Sequence, residues 1–228
     1  MKKPKYIRAE NASSPDRLKA LADGVFAIVM TLLVLELGVE EIAKTSANKE
    51  LIHGLLEMWP RFLIYGLSFL ILGIFWVIHH AIFDAIKRND TPLVWLNILF
   101  LMFVALIPFS TSLFGKFGAK QITALIYGAN MLLIFNLGWA LWAYATGKHR
   151  LVDSDLDPAL IRGANLMGLV YTLIMIPAIG ISFIQPIISF YVYIFIVIVF
   201  IISTALGRGE IAMSLPVTSK SKKNDDQG

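Results

Sequence analysis

The 228-residue chain contains no cysteine. That excludes a disulfide framework, a thiolate nucleophile and any Cys-ligated metal site. Charge is also scarce: Asp, Glu, Lys and Arg make up 16% of the residues, against about a quarter in a soluble domain. Strand-like alternation over barrel-length stretches is missing, which disfavours a transmembrane β-barrel. There is no Gly-x-Ser-x-Gly or His-Glu-x-x-His run, so the hydrolase chemistries those motifs carry have no support. No internal repeat is visible. The polar first seventeen residues are not followed by a short apolar core with a small-residue cleavage site, so the first apolar segment is expected to remain as a helix.

What is present is apolar sequence. Hydrophobic residues account for 57% of the chain, and the mean hydropathy is +0.71. This composition predicts an all-α, multi-pass membrane protein. The net charge of +4 does not point to nucleic acid, because the basic residues sit in tails and short loops between apolar runs. Six transmembrane helices are expected, near Leu18–Val39, Pro60–Phe83, Pro92–Phe114, Gln121–Thr146, Ile161–Phe183 and Pro186–Leu206. Asp90-Thr91-Pro92 is a helix start, with a capping side chain and Pro in the first turn. Pro186 after Gln185 reads the same way. Pro108 and Pro177 fall inside spans and predict kinks. With the N-terminus inside, 15 of the 20 Lys and Arg residues lie on the inner side, which places both termini in the cytoplasm. The expected organisation is a tail over 1–17, a membrane domain over 18–206 and a polar tail over 207–228. In the loop Glu40–Met58, the stretch "ELIHGLLEM" suits an outer interfacial helix or an early start of the second span.

The first span carries the sharpest question. "RLKALADGVFAIVMTLLVLEL", Arg17 to Leu37, has Asp23 near one end and Glu36 near the other. The apolar run Gly24–Leu35 covers roughly 18 Å of a core about 30 Å thick. A spanning helix therefore holds at least one carboxylate at membrane depth, where an ionisable group costs about 2.5–3.5 kcal/mol on insertion scales and seeks partners. Spans two and three place Trp76, His79, His80 and Asn97 at the depth of Asp23. A carboxylate accepting from an imidazole and an amide N–H would be satisfied there. The plain alternative is a helix-capping Asp23 at the surface. His80 and Asp84 share an i, i+4 face that a metal could use, but without further ligands a wet helix end is the simpler reading, and no metal or other cofactor is expected. Asn130, Asn136 and Asn165 suit hydrogen bonding between helices.

The same helix has a second face. At 100° per residue, Leu32 and Leu35 fall within about 40° of Ile28, and Leu21 continues the stripe inward. Thr31 flanks it. Asp23 lies about 140° from Ile28 by the same count. Such a stripe could face lipid, another helix or a pore, and geometry alone leaves these open.

The segment resembles the first-helix signature of the transmembrane protein 175 family: an Arg, three residues, Phe-Ser-Asp, then an aliphatic helix containing Thr. Arg17 and Asp23 match, while Leu21-Ala22 stands where the family has Phe-Ser. "FWVIHH" in span two and "WLN" in span three also fit. The resemblance implies a modestly potassium-selective cation channel, not an enzyme, with K+ as permeant ion. It implies a homotetramer in a prokaryotic plasma membrane, among membrane lipids, with the first helices lining a central pore. By position, Ile28 would form the constriction, with Leu32 and Leu35 further outward and Thr31 adding a hydroxyl layer. A hydrophobic ring gates by dewetting and favours the ion that sheds water more readily. No Thr-Val-Gly-Tyr-Gly filter is present. Arg17, Asp23, His79, His80 and Asn97 would form a polar network behind the pore wall, in which Ala22 has no hydroxyl to offer. Glu36 would sit at the outer mouth, as a cation-concentrating ring or as a solvated helix end. The rival from another class is a proton-coupled or other secondary transporter, because membrane-embedded Asp, His and Glu are what proton relays use.

Overall fold

A computed structural model of the chain describes residues 15–38, 48–196, 198 and 199. All its regular structure is helical: α1 (Pro15–Leu32), α2 (Asn48–Glu57), α3 (Trp59–Ala85), α4 (Thr91–Ala105), α5 (Ile107–Phe117), α6 (Gln121–Thr146), α7 (Pro158–Ile181) and α8 (Pro186–Ile196). A 3₁₀ turn, Leu33–Leu37, extends α1 and stops at Gly38, whose φ of 49° suits a residue without a Cβ. By compactness the chain divides into residues 1–194 and 195–228. Of the second unit only 195, 196, 198 and 199 are described, all helical.

Five stretches are long and apolar enough to cross a membrane: Pro15–Leu37, Trp59–Ala85, Thr91–Phe117, Gln121–His149 and Pro158–Ile181. They match the first five expected spans within a few residues. The sixth is helical from Pro186 to Ile196, and its end at 201–206 lies outside the described residues. So do the 207–228 tail, most of the 1–17 tail, and Glu40–Ala47 of the first loop.

The starts follow the local chemistry. Asp90 caps α4, its Oδ1 accepting from the Leu93 amide at 3.1 Å, with Pro92 in the first turn. Asp157 caps α7 in the same way through Ala159 N, ahead of Pro158. The third span, Thr91–Phe117, is interrupted for one residue at Leu106, two residues before Pro108, where a kink was expected. A proline ring clashes with the carbonyl four residues back and offers no N–H, so the chain restarts as α5 with Pro108 in its first turn. α7 runs through Pro177 as one helix.

α6 is the central helix. It packs against α3, α4, α5 and α7, while α1 packs on α3 and α4. α1 and α7 are consequently the least buried of the five long helices. Hydrogen bonds stitch the interior. Asn130 Nδ2 donates to Ser110 Oγ at 3.2 Å, Thr172 to Asn136 Oδ1 at 3.0 Å, and Trp139 Nε1 to Asn165 Oδ1 at 3.0 Å. All three asparagines thus link neighbouring helices, as expected. Ser68, Thr111 and Tyr127 form a buried hydroxyl chain joining α3, α5 and α6, with links of 2.9 and 3.2 Å.

The α6–α7 contact depends on Gly168. A Cβ there would lie 2.6 Å from ring atoms of Trp139, whose indole is already held by Asn165. Gly168→Ala is therefore expected to destabilise the bundle by about 1–3 kcal/mol, the usual cost of overpacking. Thermal unfolding in detergent checks this, and an unchanged Tm would contradict it.

At one end of the bundle, the α3–α4 and α6–α7 loops clasp each other. Ile86 and Val152 form an antiparallel bridge, and Lys87 N donates to Leu151 O at 2.8 Å. Asp90 Oδ2 accepts from Tyr144 at 2.7 Å and pairs with Arg150 at 3.0 Å. Burial raises the Asp90 pKa most strongly of any single effect, but the Tyr144 and Leu93 hydrogen bonds and the Arg150 charge together outweigh it. The carboxyl is left below its ordinary value of 3.8. A depressed folded-state pKa gives stability that is present above the unfolded value and lost as pH falls through the folded one. The wild type should therefore melt above Asp90→Asn at neutral pH, with the gap closing below about pH 4. A gap that persists in acid would contradict the charge assignment.

Candidate functional site

α1 turns three different faces to its surroundings. Leu18, Ala22, Phe26, Val29 and Leu33 are buried and recur every three or four residues, the spacing of one helix face. This packing face is centred about 120° from Ile28 at 100° per residue. On the other side, Leu21, Ile28, Leu32 and Leu35 are exposed, Ile28 to 59% and Leu35 to 68%. The aliphatic stripe expected from the sequence is thus a face that this chain's own helices leave uncovered. Thr31 is exposed beside it, with its hydroxyl donating to Ile28 O at 2.8 Å. That bond uses the Thr31 proton and leaves oxygen lone pairs outward. Gly24, Ala27 and Ala20 are also exposed, so the uncovered face is narrow in side-chain bulk between Leu21 and Ile28.

The polar residues behind α1 form two groups rather than the single layer the sequence suggested. In the first, Asp23 Oδ1 accepts from Trp76 Nε1 at 2.8 Å and lies 3.7 Å from His80 Nε2. Trp76 and His80 are four residues apart on α3, their rings 4.5 Å apart, so one helix face brings both to the carboxylate. In the second group, His79 Nε2 lies 2.8 Å from Asn97 Oδ1, and both residues are buried. An amide oxygen accepts, so the imidazole carries its proton on Nε2. Phe83 and Phe100 stack on His79 at 4.4 and 5.4 Å, and Phe26 of α1 stands 6.3 Å away.

The split has a simple cause. Consecutive helical residues point about 100° apart, so His79 and His80 cannot serve one partner. Asn97 accordingly joins His79, not Asp23. Trp76 was expected only at the right depth; its i, i+4 relation to His80 was the signal that it is a donor. Asp23 itself is about half exposed and bonded across to α3, so it is more than a surface cap. Ala22, where a hydroxyl was noted as lacking, is completely buried.

The remaining expected residues lie elsewhere. Arg17 is exposed, with no hydrogen bond or ion pair among the described residues. It falls about 20° from Ile28 by helical count, on the stripe side rather than in the polar network. Its neighbour Lys19 makes the link instead, reaching Asp84 Oδ1 at 2.6 Å. Asp84 is thereby turned to Lys19 and does not join His80. Among the described residues no group of three or more His, Asp or Glu side chains could hold a metal ion. Glu36 lies 3.9 Å from Lys116 of α5, at the end of the bundle where α1 finishes. Chemically, then, α1 offers an uncovered aliphatic face, while its back is fixed to α3 and α4 by indole, imidazole and phenyl groups.

Comparison with known proteins bears on that helix directly. A family model described as endosomal/lysosomal potassium channel TMEM175 matches residues 17–108. A potassium channel of Streptomyces collinus is 34% identical over 154 residues, covering 66% of this chain and 73% of the relative. A potassium channel of Chamaesiphon minutus is 34% identical over 154 residues, covering 66% and 75% respectively. The endosomal/lysosomal proton channel TMEM175 of Bos taurus is 33% identical over 141 residues, which are 58% of this chain and 29% of that protein. Among solved structures, the lysosomal potassium-selective channel TMEM175 homolog from Chamaesiphon minutus superimposes with a TM-score of 0.72 at 29% identity, covering 82% of this chain and 96% of the other. A variant of the potassium channel MtTMEM175 shares the fold, with a TM-score of 0.58 at 16% identity over 87% of this chain and 94% of that one.

Proposed function

This chain is a multi-pass membrane protein of the TMEM175 family, and from that premise we propose that it is a cation channel with a modest preference for potassium over sodium. The observation that carries the proposal is the uncovered aliphatic face of α1, with Ile28 at its centre, in a chain whose relatives in Streptomyces and Chamaesiphon are potassium channels.

Four copies, related by a central axis, would turn these faces toward one another and remove them from lipid. Ile28 then forms the constriction, Leu32 and Leu35 the rings beyond it, and Thr31 a hydroxyl layer. An aliphatic ring offers an ion no oxygen in place of its water. Passage requires partial dehydration, which costs potassium less than sodium. The Asp23–Trp76–His80 and His79–Asn97 groups hold the helix that carries the ring, and they do not touch the ion. Glu36, engaged by Lys116, would line the outer mouth. The Lys and Arg distribution supports an orientation with both termini in the cytoplasm. K+ is cargo here, and no cofactor is required.

Unitary currents in a planar bilayer test the reading. A channel passes resolvable single-molecule currents down the ion gradient without fixed coupling to protons. A turnover too slow for resolvable steps, driven by a proton gradient, would mean a transporter and would overturn the proposal.

A further inference from the structure

α2 plays no part in the account above, and its surface is unusual. None of its ten residues is buried. Leu51, Ile52, Leu55 and Leu56 are all exposed, Leu56 to 69%. At 100° per residue they occupy one sector about 140° wide. The far side holds Glu50, His53 and Glu57, with Lys49 at the border beside Leu56, and His53 Nδ1 lies 3.3 Å from Glu57 Oε1. At the edge between them Met58 is buried at the junction with α3.

Exposed apolar surface does not stop at α2. Just past the junction, Trp59, exposed to 64%, and Phe62, exposed to 46%, stand on the first turn of α3, a helix long enough to cross the bilayer. The chain also enters this region from the end of α1, another such helix. The unpartnered face therefore adjoins a helix long enough to cross the bilayer, and the exposed indole at the junction suits the interfacial level that Trp prefers.

We propose that α2 lies in the plane of the bilayer surface, with Leu51, Ile52, Leu55 and Leu56 inserted at the headgroup–acyl boundary. An amphipathic helix of this kind sits about 5–10 Å into that boundary. Its polar face carries one lysine against two glutamates, so attraction to anionic lipid contributes nothing. Insertion is driven by apolar burial, and zwitterionic phosphatidylcholine suffices. The inference rests on membrane insertion alone and does not depend on channel activity.

The absence of native cysteine makes the test direct. Single variants Leu51→Cys, Leu55→Cys, Leu56→Cys, His53→Cys and Glu57→Cys are labelled with an environment-sensitive fluorophore. The full-length protein is then placed in phosphatidylcholine vesicles containing some nitroxide-labelled lipid. At 51, 55 and 56 the emission should shift to shorter wavelength and be quenched by the lipid nitroxide. At 53 and 57 the label should be quenched only by a water-soluble agent. Water-accessible labels at 51, 55 and 56 would overturn the proposal. So would labels there shielded from both quenchers, with disulfide cross-links between copies, because the face would then be covered by a second chain.

Discussion

Ile28→Asn is expected to abolish most of the preference for potassium over sodium and to raise the conductance of both ions. An aliphatic ring at the narrowest point of a pore excludes water, and the cost of that dry stretch is the barrier each ion must cross. Four amide side chains would supply oxygens that replace hydration and would let water remain in the constriction. Each ~1.4 kcal/mol removed from the barrier raises the passage rate about tenfold. Sodium gains more than potassium, because its barrier was higher. Ile28 is exposed to 59% and lies outside the face of α1 that is buried in the bundle, so the substitution is expected to leave the subunit's fold intact. The measurement is the bi-ionic reversal potential of the variant, expected close to zero. A reversal potential equal to that of the wild type would remove Ile28 from the constriction.

His79→Ala is expected to have the largest effect on stability. The imidazole is about 1% exposed, bonded to Asn97 and enclosed by Phe26, Phe83 and Phe100. Truncation leaves a cavity among three rings, and removal of large buried side chains costs about 2–5 kcal/mol. It also strands the Asn97 carbonyl, and an unsatisfied buried polar group adds about 1–3 kcal/mol. Because Phe26 sits on the packing face of α1, the cavity opens where α1 is held against α3 and α4. Thermal unfolding in detergent should show a large fall in Tm, with loss of current. Asp23→Asn should be mild by comparison: the amide oxygen still accepts from Trp76, and the site is half exposed. A Tm for His79→Ala as high as for Asp23→Asn would contradict the packing account.

Much of this architecture was visible in the chain because the bilayer makes simple demands. Apolar run length marked α3 and α6 to within two residues, and Asp90 with Pro92 marked the start of α4. The grouping of residues on α1 followed from a 100° step: Leu21, Ile28, Leu32 and Leu35 share one exposed side, and Asp23 is turned away from it. What the sequence did not reveal was pairing. His79 and His80 are neighbours in the chain yet serve different partners, because their side chains diverge. The donor to Asp23 proved to be an indole, since Trp76 shares a face with His80. The interruption at Leu106, by contrast, falls where Pro108 predicted a disturbed helix. The clasp of Ile86 with Val152 joins residues far apart in the chain, and no local pattern announces such a contact.

The central claim is that ions cross beside α1, through an aliphatic ring that potassium passes more readily than sodium. The most direct test is the bi-ionic reversal potential of the purified wild-type protein, with potassium on one side of a bilayer and sodium on the other. The account predicts passive current and a potential displaced toward that of a potassium-selective membrane, and Ile28→Asn should remove that displacement. Passive current that reverses at zero or favours sodium would contradict the claim.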